Sequence, residues 1–554
     1  MLSENFVNTL AQSVKTNWER PAFSDYQGAT VTYAQAARRI VWLHEIFRRS
    51  RLARGEKIAL LGKNSVNWAI TYLATVTYGA VIVPILPDFS AENAQHILNH
   101  SDAVFLFVAD ALYDDLEMAD MPRVHGVFSL ADFSLLAHSK KWPLDQIIAQ
   151  AHAACPPVNN QELTPDTLAF EAIANDEIAA LVYTSGTTGF SKGVMLSHNN
   201  LLANVLFGQQ NMPLKPGDAI LSFLPLAHCY GCAFEFLFPF SVGCHITLLG
   251  KTPSPKILLQ AFQDIRPRLI LSVPLILEKI YHRQVKPAIQ KPILRRMLTV
   301  PIVSQMLRRN ICKKLAASFG GNFIEIIIGG AGLNQEVEAF FKQIRFPVTV
   351  GYGMTECAPL ISYAPWRTHP AQSAGKPINY LEVKIDSDDP ARIAGNILVR
   401  GENVMSGYYK DEEATRNAFD HDGWLNTGDI GTLDDGVIYI KGRSKNMILG
   451  ASGQNIYPEE IEALLNNLPF VQESLVLEKH GKLVALVFPD FESADARGLN
   501  EAQLREQMDE HRRTLNKRLP SYCALAKIEL YPKEFEKTPT RKIKRFLYTI
   551  PEQA

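Results

Sequence analysis

The sequence predicts an α/β protein: a large N-terminal domain of parallel sheets covered by helices, carrying a small β-rich subdomain, then a small α+β C-terminal domain. Three observations carry this. Residues 1 to about 175 alternate helical apolar periodicity with short, wholly apolar runs, the pattern of buried parallel strands joined by helices. Between residues 375 and 440 the pattern turns to short strands punctuated by turn residues. After Lys445 it becomes a compact mixture of one helix and two longer strands, which divides the chain into residues 1–444 and 445–554.

Composition sets the outer bounds. A chain of 554 residues, 47% hydrophobic and 20% charged, has ordinary globular composition and ample length to bury a core. A formal charge of -1 lacks the basic excess of a nucleic-acid binder, so no nucleic-acid partner is expected. Seven cysteines, few and odd in number, fit reduced thiols in the cytoplasm better than a disulfide framework. The start, Met1-Leu-Ser-Glu-Asn-Phe6, has no basic stretch followed by an apolar core and so no secretory signal. The most apolar long stretch, 68–87, is interrupted by Thr, Tyr and Gly and reads as a buried helix and strand, not a membrane span.

Taken in order, residues 32–43 place apolar side chains on one face of a helix, while 57–61 and 80–85 read as buried strands. Pro156, Pro157 and Pro165 mark a surface connection over 155–168. It leads to an apolar run, 177–183, then to Tyr183-Thr-Ser-Gly-Thr-Thr-Gly-Phe-Ser-Lys-Gly193, then to a second short strand, 194–198. Glycines let this loop turn sharply and approach a ligand, while hydroxyls, amides and Lys192 supply donors for phosphate oxygens. It departs from the common nucleotide P-loop, because no Ser or Thr follows the lysine and no helix follows directly. A flexible connection of the same composition is the competing reading.

Further on, His228 stands in Leu224-Pro-Leu-Ala-His-Cys-Tyr-Gly231, a turn entering the apolar segment 233–242; taken alone, it reads as a satisfied structural histidine. Cys229 and Cys232 form a Cys-x-x-Cys without a second pair, which points to small lining for an apolar pocket rather than a metal. The stretch 279–314 is basic and interleaved with apolar residues. It suits either a solvated helix face or peripheral contact with an anionic membrane. Phe323-Ile-Glu-Ile-Ile-Ile-Gly-Gly-Ala-Gly-Leu333 and Thr349-Val-Gly-Tyr-Gly-Met-Thr-Glu356 read as strands ending in glycine turns, where open α/β sheets collect ligands. Gly423-Trp-Leu-Asn-Thr-Gly-Asp429 and Lys441-Gly-Arg-Ser-Lys445 follow inside and just after the β-rich stretch. The helix 458–465 and strands 473–477 and 482–488 build the last domain, which ends in the basic string Phe535-Glu-Lys-Thr-Pro-Thr-Arg-Lys-Ile-Lys-Arg545; by itself that string reads as a solvated tail.

In this order and spacing the strings resemble the adenylate-forming superfamily of acyl-CoA synthetases, peptide-synthetase adenylation domains and luciferases. The segment Ala451-Ser-Gly-Gln-Asn-Ile-Tyr-Pro-Glu-Glu-Ile-Glu462 is most similar to the long-chain fatty acid:CoA ligase branch. The resemblance covers nearly the whole chain and implies an AMP-forming ligase that joins a medium- to long-chain fatty acid to coenzyme A through an acyl adenylate. It implies that Thr184, Ser185, Gly186, Thr187, Thr188 and Lys192 surround the ATP phosphates, and that Gly329, Gly330 and Ala331 lay backbone beside adenine. It gives Gly351, Tyr352, Gly353 and Thr355 to the nucleotide, Glu356 to Mg²⁺, and Asp429 with Arg443 to the ribose hydroxyls. His228 would gate the acyl channel, and Lys445 would be the hinge. Lys542 would bridge the carboxylate and phosphate in the first step, and Gly453 would face the site in the second. Arg541 stands where many relatives have glycine, and Lys445 where aspartate is commoner. An acyl carrier protein in place of coenzyme A, or a pseudoenzyme that only binds nucleotide or lipid, are the alternatives carried forward.

Overall fold

A computed structural model describes residues 1–157, 162–184, 192–289, 291–292, 300–449, 454–538 and 543–548. Its centre is an eight-stranded sheet in the order Gly407–Tyr408, Lys192–Ser197, Ile178–Thr184, Val81–Ile85, Lys57–Leu61, Ala103–Val108, Gly126–Ser129, Leu135–His138. The five strands from Ile178–Thr184 to Gly126–Ser129 are parallel, as the alternation predicts. Both flanks are antiparallel, so the sheet is mixed around its parallel centre. The reason is local: residues 185–191 are too few for the crossover that a parallel return needs, so Lys192–Ser197 folds straight back on Ile178–Thr184.

Side chains on the central strands alternate between two cores. Ile58, Leu60, Ile82, Ala180 and Val182 join the larger one, while Ala59, Leu61, Val81, Val83 and Leu181 join a second on the other face. Strands buried on both faces read as continuous apolar runs, which is how they stood out in the sequence. The helix Tyr33–Arg49 starts at a capping box in which Thr32 and Gln35 satisfy each other's backbone N–H. The helix Val66–Tyr78 and strand Val81–Ile85 account for the apolar stretch 68–87. Among the described residues no helix is long and apolar enough to cross a membrane.

Among the described residues four smaller sheets accompany the large one within 1–444, one of them the antiparallel set Tyr352–Gly353, Leu360–Tyr363 and Lys376–Pro377. Ala219–Ser222, His245–Leu248, Pro21–Asp25 and Thr30–Thr32 form another; Ile270–Ser272, Ile326–Ile328 and Val348–Val350 form a parallel third. Leu381–Asp386, Gly395–Gly401, Leu425–Asp434 and Val437–Arg443 make the antiparallel β-rich unit. Gly407–Tyr408 lies within that stretch of chain but leaves its sheet, pairing instead with Met195 and Val194 at the edge of the large one.

The apolar segment 233–242 is core. Phe234, Phe236, Phe238 and Phe240 are fully buried, with Phe236 and Phe240 packed against Phe23, Tyr33, Trp68 and Tyr72. Beyond residue 447 the apolar clusters are separate and built around Val471–Lys479, Lys482–Pro489 and Leu525–Leu530. The basic string near the end is not a solvated tail where it is described. Phe535 is buried between Tyr531 and Tyr548, Lys537 lies 2.6 Å from Glu473, and Arg545 pairs with Glu462.

Candidate active site

Asp429 and Arg443 face each other as register partners on neighbouring antiparallel strands, with Arg443 Nε 2.7 Å from Asp429 Oδ1. Tyr352, distant in sequence, donates its hydroxyl to Asp429 Oδ2 at 2.7 Å. Tyr352 and Asp429 are buried and the Arg443 side chain is half exposed. Burial and the Asp429 charge push the Tyr352 phenol well above its ordinary range, so it stays a proton donor at neutral pH. A carboxylate oriented from both sides, with a guanidinium reaching toward solvent, can accept from a diol.

Tyr352 emerges from the parallel three-stranded sheet. Gly351 donates its N–H to the carbonyl of Ile328 at 2.8 Å, and Gly329 donates to that of Ser272 at 3.0 Å. The chain needs glycine at 329, because a Cβ there would stand 2.8 Å from the ring of Tyr230, whose hydroxyl donates to the Ile327 carbonyl. Gly330 has φ +88, in the left-handed region that favours glycine. Ala331 follows on the same surface turn, so the three residues present backbone at the carboxyl ends of the strands.

Four residues after Tyr352, Glu356 sits in the short helix Thr355–Cys357. Its Oε1 accepts from Tyr408 OH at 2.9 Å, and its backbone carbonyl accepts from Met405 N–H at 2.8 Å. The next turn is pinned by two buried amides. Asn204 accepts from Leu360 N–H at 3.0 Å, and Asn403 donates to the carbonyls of Cys357 at 2.9 Å and Leu360 at 2.6 Å. Lys192 and Thr184 are register partners at the mouth of the hairpin, and Lys192 Nζ lies 4.9 Å from the ring centre of Tyr408. Thus Tyr352 and Glu356, on one turn, reach two clusters: Asp429 with Arg443, and Tyr408 with Lys192.

His228, half-buried, precedes the helical run that starts at Cys229–Gly231 and continues as the π-helix Cys232–Leu237. Cys229, Cys232 and Ala233 line an apolar void with Pro84, Ala180 and Val182; its volume of 10 Å³ is the room of about one water. Burial pushes the Cys232 thiol up to about 12. Among the described residues no three or more His, Cys, Asp or Glu gather as a metal site. Lys445 lies in the short helix Ser444–Asn446. Ser185, Gly186, Thr187, Thr188, Gly453, Arg541 and Lys542 fall outside the described residues.

Sequence reasoning missed Tyr408, Asn204 and Asn403. A signal for Asn204 existed: His198–Asn211 is an apolar helix with asparagines at 199, 200 and 204, and polar groups buried on such a helix must be paired. Asn199 and Asn200 hold the 402–404 loop, which delivers Met405 and Tyr408 to Glu356. Gly407-Tyr-Tyr carried no signal beyond that of a short strand.

The AMP-binding enzyme family matches residues 10–409. The chain belongs to the AMP-binding enzyme family. The match includes every site element from the hairpin to Tyr408, while Asp429, Arg443 and Lys445 lie beyond it. A long-chain-fatty-acid–CoA ligase of Mycobacterium bovis is 29% identical over 535 residues, 89% of this chain and 86% of that protein. A long-chain-fatty-acid acyl-carrier-protein ligase of Arabidopsis thaliana is 27% identical over 542 residues, 84% of this chain and 73% of that protein. The ATP-bound crystal structure of MatB from Rhodopseudomonas palustris, 22% identical, superposes with a TM-score of 0.76 over 98% of each chain. This AMP-binding enzyme therefore shares the fold of that structure along almost its full length.

Proposed function

We propose that this protein is an ATP-dependent acid–thiol ligase that converts a medium- to long-chain fatty acid to its coenzyme A thioester through an acyl adenylate, releasing AMP and pyrophosphate. The observation that carries the reading is the turn from Tyr352 to Glu356, which touches a ribose-type cluster at one end and a phosphate-type cluster at the other. ATP would place its ribose on Asp429 and Arg443, its adenine against the backbone of Gly329, Gly330 and Ala331, and its phosphates toward Thr355, Thr184 and Lys192. The names of the Mycobacterium and Arabidopsis relatives support a fatty acid as the other substrate.

A carboxylate is a poor acylating agent because oxide is a poor leaving group. Attack of its oxygen on the α-phosphorus forms the acyl–phosphate bond and breaks the bond to pyrophosphate; thiol attack on the carbonyl then expels AMP. The protein's contribution to both steps is to position anions and balance their charge. Mg²⁺ fits Glu356: a single half-buried carboxylate, with no other carboxylate or imidazole beside it in a ligand cluster among the described residues, leaves an ion's remaining positions to phosphate oxygens and water. Bound there, the ion would neutralise charge on the phosphates. Lys542 would bridge the carboxylate and phosphate during adenylation and must vacate the site before the thiol attacks. For that reason we propose two bodies, 1–444 and 445–554, that rotate about Lys445 between steps and bring Gly453, Gln454 and Asn455 to the site. The separate apolar clusters beyond residue 447 support this division. The acyl chain would enter past His228 into the void beside Cys229 and Cys232, which must widen to take it.

The test is pyrophosphate release from ATP with carboxylates from acetate to oleate, with and without coenzyme A, products identified by mass. Acyl-CoA and AMP from fatty acids support the ligase and give its chain length. Turnover that stalls at bound acyl-AMP favours a carrier protein as acceptor, the activity named for the Arabidopsis relative. No turnover with any acid leaves a nucleotide- or lipid-binding protein. Lys542→Ala is expected to abolish adenylate formation while sparing thioester formation from supplied acyl-AMP; equal loss in both would remove that role.

Peripheral membrane contact is proposed for the 279–314 region. Val300, Ile302 and Met306, at the start of the helix Pro301–Ser318, expose apolar side chains, and Arg309, Lys313 and Lys314 are exposed further along it. Sedimentation with anionic liposomes should show binding that weakens with salt, and no binding at low salt would remove the proposal.

A further inference from the structure

The eight-stranded sheet separates two voids. The first, beside Cys229 and Cys232, takes its floor from Pro84, Ala180, Val182 and Leu196. The second lies on the opposite face, toward the amino ends of the parallel strands, and takes its floor from Val81, Leu181 and Met195. Its volume is 390 Å³, within the usual range of small-molecule sites. Arg54, Lys57, Glu177 and Tyr409 bring polar groups to its wall.

The charges here are unevenly matched. Arg54 is paired with Glu177 at 2.8 Å. Asp102 is shared by Lys410 at 2.7 Å, Arg123 at 3.4 Å and the Tyr409 hydroxyl at 2.8 Å. Lys57 is half-buried and forms no ion pair among the described residues; its ammonium lies 5.2 Å from the ring centre of Tyr409. Burial lowers its pKa most, while the nearby carboxylates of Asp102 and Glu56 pull it back up. An apolar floor with one unpaired cation at its wall is complementary to a small organic anion that carries an apolar body.

The same wall connects with the nucleotide site. Tyr408 and Tyr409 are consecutive, and successive side chains of an extended segment point to opposite sides. Tyr408 reaches Glu356 and lies under Lys192, while Tyr409 lies under Lys57 and reaches Asp102. Between them the Tyr409 N–H donates to the carbonyl of Gly193 at 2.8 Å, directly beside Lys192.

We propose that this cavity is a second ligand site, for a small amphipathic anion held by Lys57, and that its occupancy is transmitted to ATP binding through the Tyr408–Tyr409 pair. The site is distinct from the one assigned to substrates above, and its test needs no turnover. Isothermal titration of the full chain with 1-hexanesulfonate is expected to show binding that Lys57→Met weakens at least about 10-fold and Lys57→Arg retains. Unchanged binding in Lys57→Met would overturn the site. Saturating 1-hexanesulfonate is expected to shift the ATP dissociation constant of the unmodified protein by about 5-fold or more, the lower range of coupling between distinct sites, and to leave that of Lys57→Met unchanged. Equal ATP affinity of the two proteins without sulfonate shows that the variant is folded. An ATP affinity indifferent to sulfonate in the unmodified protein would overturn the transmission.

Discussion

Tyr408 shows how a side chain outside every motif can set the geometry of one inside. Its hydroxyl fixes one oxygen of Glu356 and its ring lies under Lys192, so it orders a carboxylate and an ammonium that would otherwise search many rotamers. A hydrogen bond to a charged group contributes about 1.5–3 kcal/mol, which is roughly 10- to 100-fold in affinity. Tyr408→Phe is therefore expected to weaken Mg·ATP binding, measured by titration without the acid substrate, by about that factor. The Michaelis constant for the fatty acid should stay near its original value. An unchanged nucleotide affinity would show that Glu356 is oriented without it. Asp429, Arg443 and Glu356 could be singled out in the sequence because they stand in recognisable strings, whereas Tyr408, Asn204 and Asn403 could not. Their roles depend on contacts between distant segments, such as that of Asn204 with the 357–360 turn, and no local pattern records such contacts.

At the scale of elements, what was legible followed periodicity. The helix Tyr33–Arg49 and the strands Lys57–Leu61 and Val81–Ile85 were readable because their side-chain patterns repeat with the backbone. The antiparallel edges were not, because the direction of a strand leaves no trace in its composition. The packing of Tyr33–Arg49 on Val66–Tyr78 also carries a titration. His44 Nε2 lies 2.9 Å from the Ala74 carbonyl and 3.1 Å from Thr77 Oγ1, and burial lowers its pKa to about 4, against a weaker upward pull from that carbonyl. The unfolded chain binds this proton near pH 6.5. Stability from the neutral ring is thus fully present above that pH and is lost as pH falls toward 4, by roughly 3 kcal/mol for a shift of this size. Urea denaturation at pH 7 and pH 4.5 should show the loss, and His44→Gln should show less of it. Equal pH dependence in both proteins would assign the acid sensitivity elsewhere.

For the whole molecule, the central expectation is movement between two bodies. The segment Ser444–Asn446 joins the strand Val437–Arg443, which carries Arg443, to a region with its own apolar clusters. Proline fixes φ near −65°, so Lys445→Pro should hold the connection in one setting. Single-turnover measurements are expected to show one half-reaction within a few-fold of the unmodified protein and the other reduced at least about 10-fold. Equal effects on both would mean that Lys445 is not the pivot. The order of motifs made the large architecture readable, but the docking of Phe535, Lys537 and Arg545 onto the last domain was hidden, since basic residues in a loop look alike whether solvated or paired.

The sheet that divides the two voids also bears on how such a chain can diversify. Along Ile178–Thr184, Ala180 and Val182 belong to one chamber and Leu181 to the other. Point substitutions at alternate positions can reshape either chamber while leaving its neighbour intact, so acid preference and any second ligand are free to drift independently. A one-residue insertion or deletion within the strand would exchange the two linings at once. Length variation among descendants should accordingly be confined to the connections, and novelty inside these strands should arise by replacement alone.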